Sequence, residues 1–282
     1  MAGCNMNPPN RRWHECCPLM VGTLFYGRPN VSETFPTVTE LTSAILRCLR
    51  EGVYSGIVLP DFATEEEVAA GIRAGRQLSA GSGEWPGPSV GSASNPEKLD
   101  YYLSEAQATV DKTRRIFGGC TPIDRLFARL LEIHAPGVRI PSWRGRSFAS
   151  QHWRGWGAGA DTPPHCDCKN TFALRHLGLC SRWASNVYLV GSDDGGALEL
   201  WDPYDEVEYG QLEASTKGPA GFGLDRTTLP PPKYRINPPR RSLVIFDAGI
   251  LHAVAPVTED MRMTVSSFIG MTHPNEALYI FA

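Results

Sequence analysis

The segment PPHCDCKN, residues 163–170, sets His165, Cys166, Asp167 and Cys168 side by side, four side chains of types that ligate metals. Three chemistries fit such a cluster: a zinc knot, a redox pair of thiols, or a histidine–carboxylate pair with the cysteines as packing residues. Successive side chains of an extended segment alternate between faces, so His165 and Asp167 point one way and Cys166 and Cys168 the other. One ion bound by all four would have to reach both faces of a single strand. Structural zinc usually collects two separated ligand pairs, and the nearest source of a second pair is His176 with Cys180. A disulfide within C-x-C on a straight strand would have to close a gap wider than the bond spans. A histidine–carboxylate pair, for its part, needs a further ligand from elsewhere in the chain.

His252, within the mostly apolar stretch DAGILHAVAPV, is such a residue, and Arg262 stands ten positions later at the start of MRMTVSSFIGM. Singly, a histidine among apolar neighbours is a core residue and an arginine opening a strand faces water. In this order and spacing they suggest more. Two imidazoles and one carboxylate leave three coordination positions open, which is the facial arrangement of non-haem Fe(II) oxygenases. Neutral imidazoles suit a borderline metal, and a single carboxylate lowers the net charge without filling the open positions. A guanidinium nearby has the planar fork that grips the far carboxylate of a 2-oxo diacid.

His165-x-Asp167, then His252, then Arg262 resembles the motif of the Fe(II)/2-oxoglutarate-dependent oxygenases of hydroxylase (HxD) type. The resemblance spans residues 150–270 and takes in GGALELWDP and FDAGILHAV, with Gly195-Gly196 similar to the family's glycine turn into a strand. It implies a double-stranded β-helix, or jelly-roll, with His165, Asp167 and His252 as ligands of Fe(II) and as the catalytic centre. It further implies that Arg262 anchors 2-oxoglutarate, with Thr264 or Ser266 donating a hydroxyl to the same carboxylate. Arg154, eleven residues before His165, is a further candidate for the same cavity. The layout, with a helical first half and the ending EALYIFA, is similar to the branch that includes carrier-independent alkaloid halogenases. Those enzymes have glycine or alanine where Asp167 stands, so hydroxylation is implied here and halogenation is not. The implied reaction consumes O2 and oxidises a C–H bond of a small molecule, in natural-product biosynthesis. Desaturation, cyclisation or epimerisation with the same cofactors is an alternative outcome. A non-enzymatic jelly-roll module holding zinc or another ligand is the alternative from a different class.

The elements that must position these residues fall into two halves. Residues 1–36 have little periodicity and several prolines, as expected of an irregular arm, and 37–282 are expected to form one catalytic domain. Within it, 37–135 read as mainly helical and 136–282 as the jelly-roll core. Thr37-x-x-Glu40 and Thr64-x-x-Glu67 have the capping-box pattern and predict helices through Arg50 and Leu78. A strand is predicted over 53–62, and helices over 99–117 and 122–134. After Pro136 come short apolar or alternating segments: SFASQHWRGW, SNVYLVG, GALELWD, RSLVIFD, ILHAVAPV and RMTVSSFIGM. Many short strands at this spacing indicate an antiparallel sandwich or barrel. The fold class is therefore α+β, with the helices packed on one face of a double sheet. The Gly/Ser/Pro-rich stretch 79–98 reads as a surface loop or a lid, and the Pro/Gly-rich stretch 214–240 is placed to cover a pocket. Trp153, Trp156 and Trp201 are candidates for an aromatic wall.

With 282 residues, 42% hydrophobic and 20% charged, the chain has ordinary globular composition and ample length for a core. A net charge of −3 offers no basic excess for nucleic acid. No apolar run approaches the roughly 18 residues of a membrane span. The first residues place prolines and polar groups where a signal peptide is apolar, so a cytoplasmic protein is expected. Its eight cysteines lack the spacing of a disulfide scaffold and are expected as free thiols.

Overall fold

The computed structural model describes residues 35–80, 88–167, 174, 177–179, 181–191, 195–201, 206–216, 218, 222–258 and 261–282. The arm expected over 1–36 lies almost wholly outside these residues, as do Cys168, His176 and Cys180. Among the described residues, four helices precede most of the strands: α1 (Ser43–Arg50), α2 (Glu65–Ala80), α3 (Pro96–Ile116) and α4 (Pro122–Ile133). A fifth, α5 (Glu206–Ser215), lies between strands.

Helix starts follow local side-chain chemistry. Thr64 and Glu67 form the expected reciprocal cap of α2, with the Glu67 N–H donating to Thr64 Oγ1 (3.2 Å) and the Thr64 N–H to Glu67 Oε2 (2.8 Å). Asn95 caps α3 ahead of Pro96, and Thr121 with Asp124 forms a second box ahead of Pro122. The expectation at Thr37 needs correction. The backbone of 36–38 pairs with Val58 (Val38 N to Val58 O 2.8 Å, Val58 N to Pro36 O 3.0 Å), so it is extended and committed to a strand. The first helix begins only at Ser43, capped by Thr42. The strand predicted over 53–62 is likewise shorter, β1 at Gly56–Leu59.

Three short strands follow the helices: β2 (Val138–Arg139), β3 (Ser142–Trp143) and β4 (Arg146–Ser147). Then come β5 (His152–Gly157), β6 (Thr162–His165), β7 (Ser181–Val190), β8 (Leu198–Leu200) and β9 (Tyr234–Ile236). The last four are β10 (Leu243–Asp247), β11 (His252–Val254), β12 (Met261–Met271) and β13 (Leu278–Phe281). A seven-stranded sheet runs in the order β1-β10-β7-β12-β13-β2, with β5 also pairing β12. A four-stranded sheet has the order β6-β11-β8-β9.

Strand alternation divides the side chains of the large sheet between two cores. On one face Ile57, Trp183, Val187, Leu243, Ile245, Met263 and Val265 pack against Leu46 and Leu49 of α1, Val68 of α2 and Leu126 and Leu130 of α4. On the other, Val58, Ala184, Tyr188, Val244 and Phe246 pack against Leu198, Leu200 and Tyr234 of the small sheet. The two sheets thus face each other, and the helices cover the outside of the larger one. Packing both faces is what makes the strands nearly continuous apolar runs.

Helix α3 closes a third cluster, with Tyr102, Leu103 and Ala106 against Phe148, Ala149 and Phe281. The fully buried Tyr102 hydroxyl donates to the Ala282 carbonyl (2.6 Å) and accepts from the Ala149 N–H (3.0 Å). Tyr102→Phe strands the Ala149 N–H in a dry place, while the Ala282 carbonyl keeps the Val90 N–H (3.2 Å), so urea denaturation should show a loss of about 1–3 kcal/mol. An unchanged midpoint would mean that neither bond contributes.

Candidate metal centre

The residues that could do chemistry lie on the inward faces, between the sheets. β6 and β11 are antiparallel neighbours in the small sheet, and their register sets His252 directly opposite His165. The two rings are 4.3 Å apart, centroid to centroid. Asp167 stands in the turn just after β6, its N–H bonded to the Ala248 carbonyl (3.0 Å), and its carboxylate comes within 3.7 Å of His252 Nε2. One ligand-type atom from each of His165, Asp167 and His252 lies within 4.8 Å of the others, the one such group among the described residues.

Both imidazoles are held by the same device. His165 Nδ1 lies 2.8 Å from the Pro163 carbonyl and His252 Nδ1 2.7 Å from the Ile250 carbonyl. A carbonyl can only accept, so Nδ1 carries the proton and the Nε2 lone pair is left to face the carboxylate. This orients and tautomerically fixes a metal-binding histidine. Phe246 from the large sheet packs edge-on against His252 at 5.0 Å, fixing the ring plane.

The electrostatics favour an ionised Asp167 and a neutral His252. Burial opposes ionisation of Asp167, but His165, His252, Arg182 and Arg154 outweigh it and hold its carboxyl below the ordinary range. Burial, with the neighbouring His165, pushes His252 down to about 4, against the opposing pull of Asp167. His252 is therefore neutral at physiological pH.

Cys166 points the other way, as alternation predicts. It sits in an apolar cluster with Trp201, Tyr209 and Leu251 on the outside of the small sheet, 3.0 Å from the Gly249 carbonyl. It is no part of the three-ligand group. Of the three tryptophans, only Trp156 reaches the inner cavity. Trp153 faces the helices, and Trp201 sits in the outer cluster with its Nε1 donating to the Pro230 carbonyl (2.8 Å). The expected aromatic wall is thereby reduced to one residue, because Trp153 and Trp156 are an odd number apart and lie on opposite faces of β5.

Arg262 is the second feature of the cavity. It is 3% exposed and lies between two rings, 4.6 Å from Trp156 and 4.8 Å from Tyr188. Its Nη2 donates to the Tyr188 hydroxyl (2.8 Å), while Nε and Nη1 are buried without a hydrogen-bond partner. Gly196, at φ +64°, lies against it: a Cβ there would come 2.9 Å from Arg262 Cδ.

Thr264 and Ser266 follow on the same inward face. Ser266 donates to Asn186 Oδ1 (2.6 Å), and its oxygen lies 3.1 Å from Thr264 Oγ1. Arg154 is on the inward face of β5, opposite Thr264, with its Nε on His152 Nε2. Burial, and the nearby charge of Arg262, push Arg154 down to about 10 although Asp167 opposes the shift. Sequence reasoning missed Asn186, Tyr188 and Arg182. Their signal was present: Arg182, Asn186 and Tyr188 share one face of a ten-residue strand, interrupted there only by Ala184.

Outside the small sheet, Glu199 is 4% exposed and forms ion pairs with Arg226 and Arg235. Arg226 also donates to the Val254 carbonyl (2.9 Å) and the Thr162 carbonyl (3.3 Å), clamping β6 and β11 from behind.

No protein-family model and no curated protein matches the chain. Solved structures do. An N-substituted L-amino acid dioxygenase from Burkholderia ambifaria AMMD, crystallised with alpha-KG, superposes with a TM-score of 0.57 at 18% identity, covering 85% of this chain and 91% of that one. A second structure of that dioxygenase gives 0.56 at 18% identity, covering 85% and 92%. The chain therefore shares the fold of this dioxygenase over most of its length.

Proposed function

We propose that the chain is an Fe(II)- and 2-oxoglutarate-dependent dioxygenase that hydroxylates an unactivated C–H bond of a small molecule. One observation carries the reading: two Nε2 atoms and one carboxylate converge between the sheets, on the same inner cavity as a buried arginine with two donors unused. His165, Asp167 and His252 would hold the ferrous ion. Three ligands are the number that leaves room for a bidentate co-substrate and O2. An arginine with spare buried donors is incomplete without an anion, and the distal carboxylate of 2-oxoglutarate completes it. Tyr188 accepts from Arg262 and so keeps its own proton for the same carboxylate. Thr264 and Arg154 line the approach. Iron with bound 2-oxoglutarate supplies the oxidising power, the co-substrate leaving as succinate and CO2. The chain's own residues orient the ligands, keep the His252 imidazole neutral and exclude water. On this reading the two facing sheets are the jelly-roll, and 37–282 the single catalytic domain.

The alternative of a zinc-holding module draws no support from Cys166, which turns away from the cluster. Desaturation or cyclisation uses the same residues, and mass spectrometry of the product separates them from hydroxylation. A natural-product substrate and a cytoplasmic setting complete the proposal. No helix among the described residues is long and apolar enough to cross a membrane.

The test is spectroscopic. Adding 2-oxoglutarate to the anaerobic Fe(II) protein should produce the weak visible charge-transfer band of the chelate. Tight stoichiometric zinc with no such band would overturn the proposal. Gly196→Ala offers a finer check. A methyl group there meets the Arg262 side chain and forces a left-handed backbone on alanine, costing about 1–2 kcal/mol of stability. It should also raise the KM for 2-oxoglutarate about tenfold by displacing the anchor. Unchanged kinetics would show that the glycine serves only the turn.

A further inference from the structure

Beyond favouring the Asp167 carboxylate from a distance, Arg182 touches neither the candidate ligands nor the co-substrate in the function proposed above. It lies on β7, on the same inward face as Asn186 and Tyr188, with its guanidinium 5.4 Å from the centre of the Phe268 ring. Its Nε is buried without a hydrogen-bond partner, and the guanidinium makes no hydrogen bond or ion pair among the described residues. Its charge reaches the metal ligands, favouring the Asp167 carboxylate and disfavouring protonated His252.

The sheet register sets Arg182 and Arg262 far apart along the inward face of the large sheet. Tyr188, the partner of Arg262, lies opposite Thr264, whereas Arg182 lies opposite Gly270. Six residues of strand separate Tyr188 from Arg182, about 20 Å at about 3.3 Å per residue. Between them, Ala184 is paired with Phe246, whose ring touches His252. The candidate cluster thus stands between the buried Arg262 and the half-buried Arg182. A five-carbon diacid bound at the cluster and reaching Arg262 spans less than half that separation, so it leaves Arg182 untouched.

Charge accounting leads the same way. A divalent ion and a dianionic co-substrate cancel, which leaves Arg154, Arg182 and Arg262 facing Asp167 as the acidic partner on the inward faces. Among the described residues the inward faces are still cationic with both in place, and a guanidinium whose Nε is buried without a partner is best compensated by a charged acceptor. The apolar neighbour of Arg182 is Phe268, and a second phenyl ring, Phe222, stands beside the candidate cluster. Phe222 is 48% exposed and its ring lies edge-on, 6.0 Å from His165.

Resting on the function proposed above, we infer that the substrate is a small organic acid whose carboxylate pairs with Arg182 while its apolar body lies against Phe268 and Phe222. Arg182 is then a specificity residue for substrate charge.

The experiment uses the wild type, Arg182→Gln and Arg182→Lys, each loaded anaerobically with Fe(II) and 2-oxoglutarate. The charge-transfer band is read first, then its perturbation by millimolar N-acetyl-L-leucine or 3-phenylpropanoate and by the corresponding primary amides. At least one acid should perturb the wild-type band while its amide does not. Arg182→Gln should form the band yet bind that acid about 10- to 100-fold more weakly, with Arg182→Lys in between. Equal binding of acid and amide, indifference of the acid to Arg182→Gln, or no binding by either acid overturns the inference while the band stands. Absence of the band in the wild type overturns the proposed function, and the inference with it.

Discussion

Asp167→Ala protein is expected to bind ferrous ion at least about 100-fold more weakly than wild type and to stop consuming 2-oxoglutarate. Altering a group that merely orients a ligand typically costs 10- to 100-fold in metal affinity, and Asp167 is placed to be a ligand itself. It is the one anion of the cluster, 3.7 Å from His252 Nε2 and held ionised against burial by His165, His252, Arg182 and Arg154. Without it, two imidazoles and no anion face the metal, and Arg182 and Arg154 lose a counter-charge. Asp167→Asn keeps the volume and removes the charge, which separates a packing effect from a ligand effect: both variants should fail alike. Anaerobic Fe(II) titration with metal analysis checks the first expectation, and O2 uptake with succinate detection checks the second. Full turnover by Asp167→Ala would remove the carboxylate from the ligand set, and with it the reason to expect three open positions.

What could be read from the sequence, and what could not, follows from the range of the forces involved. The pair His165 and Asp167 was legible because one short segment carries both, and alternation alone separates them from Cys166. His252 and Arg262 were legible as residue types in order. Their meeting depends on antiparallel registers, of β11 on β6 and of β12 on β7 and β5, that no local pattern encodes. Thr37 shows the opposite limit. Its capping pattern is local and correctly formed, yet pairing with Val58, some twenty residues on, takes its backbone first. Asn186, Tyr188 and Arg182 were visible as polar residues of the same parity on β7, with Ala184 between them. A polar stripe on a strand ordinarily faces water, and only the second sheet turns it inward. Trp153 and Trp156 were grouped as one wall although their spacing already assigns them to opposite faces.

Arg262→Gln should raise the 2-oxoglutarate concentration needed for half-maximal signal by about 100-fold or more, while leaving the fold of the ligand-free protein intact. The magnitude follows from removing one partner of a buried, hydrogen-bonded charge pair, which costs about 2–5 kcal/mol. The second half is the sharper one. Without co-substrate, the guanidinium is 3% exposed, with Nε and Nη1 lacking partners, so its burial is only partly offset by Trp156, Tyr188 and one hydrogen bond. Replacing it by a neutral side chain relieves a desolvation cost as it removes those contacts, and the melting temperature should move by only a few degrees. Co-substrate at 100 times its Kd adds about 2.7 kcal/mol to wild-type stability, and the variant should lose that increment at the same concentration. Arg262→Lys keeps the charge but lacks the planar fork, and is expected between the two. The decisive pattern is therefore a thermal shift with 2-oxoglutarate that is present in the wild type, reduced in the lysine variant and absent in the glutamine variant, on nearly equal ligand-free baselines. A large loss of ligand-free stability with an unchanged shift would make Arg262 a core residue and leave the co-substrate's far carboxylate without an anchor.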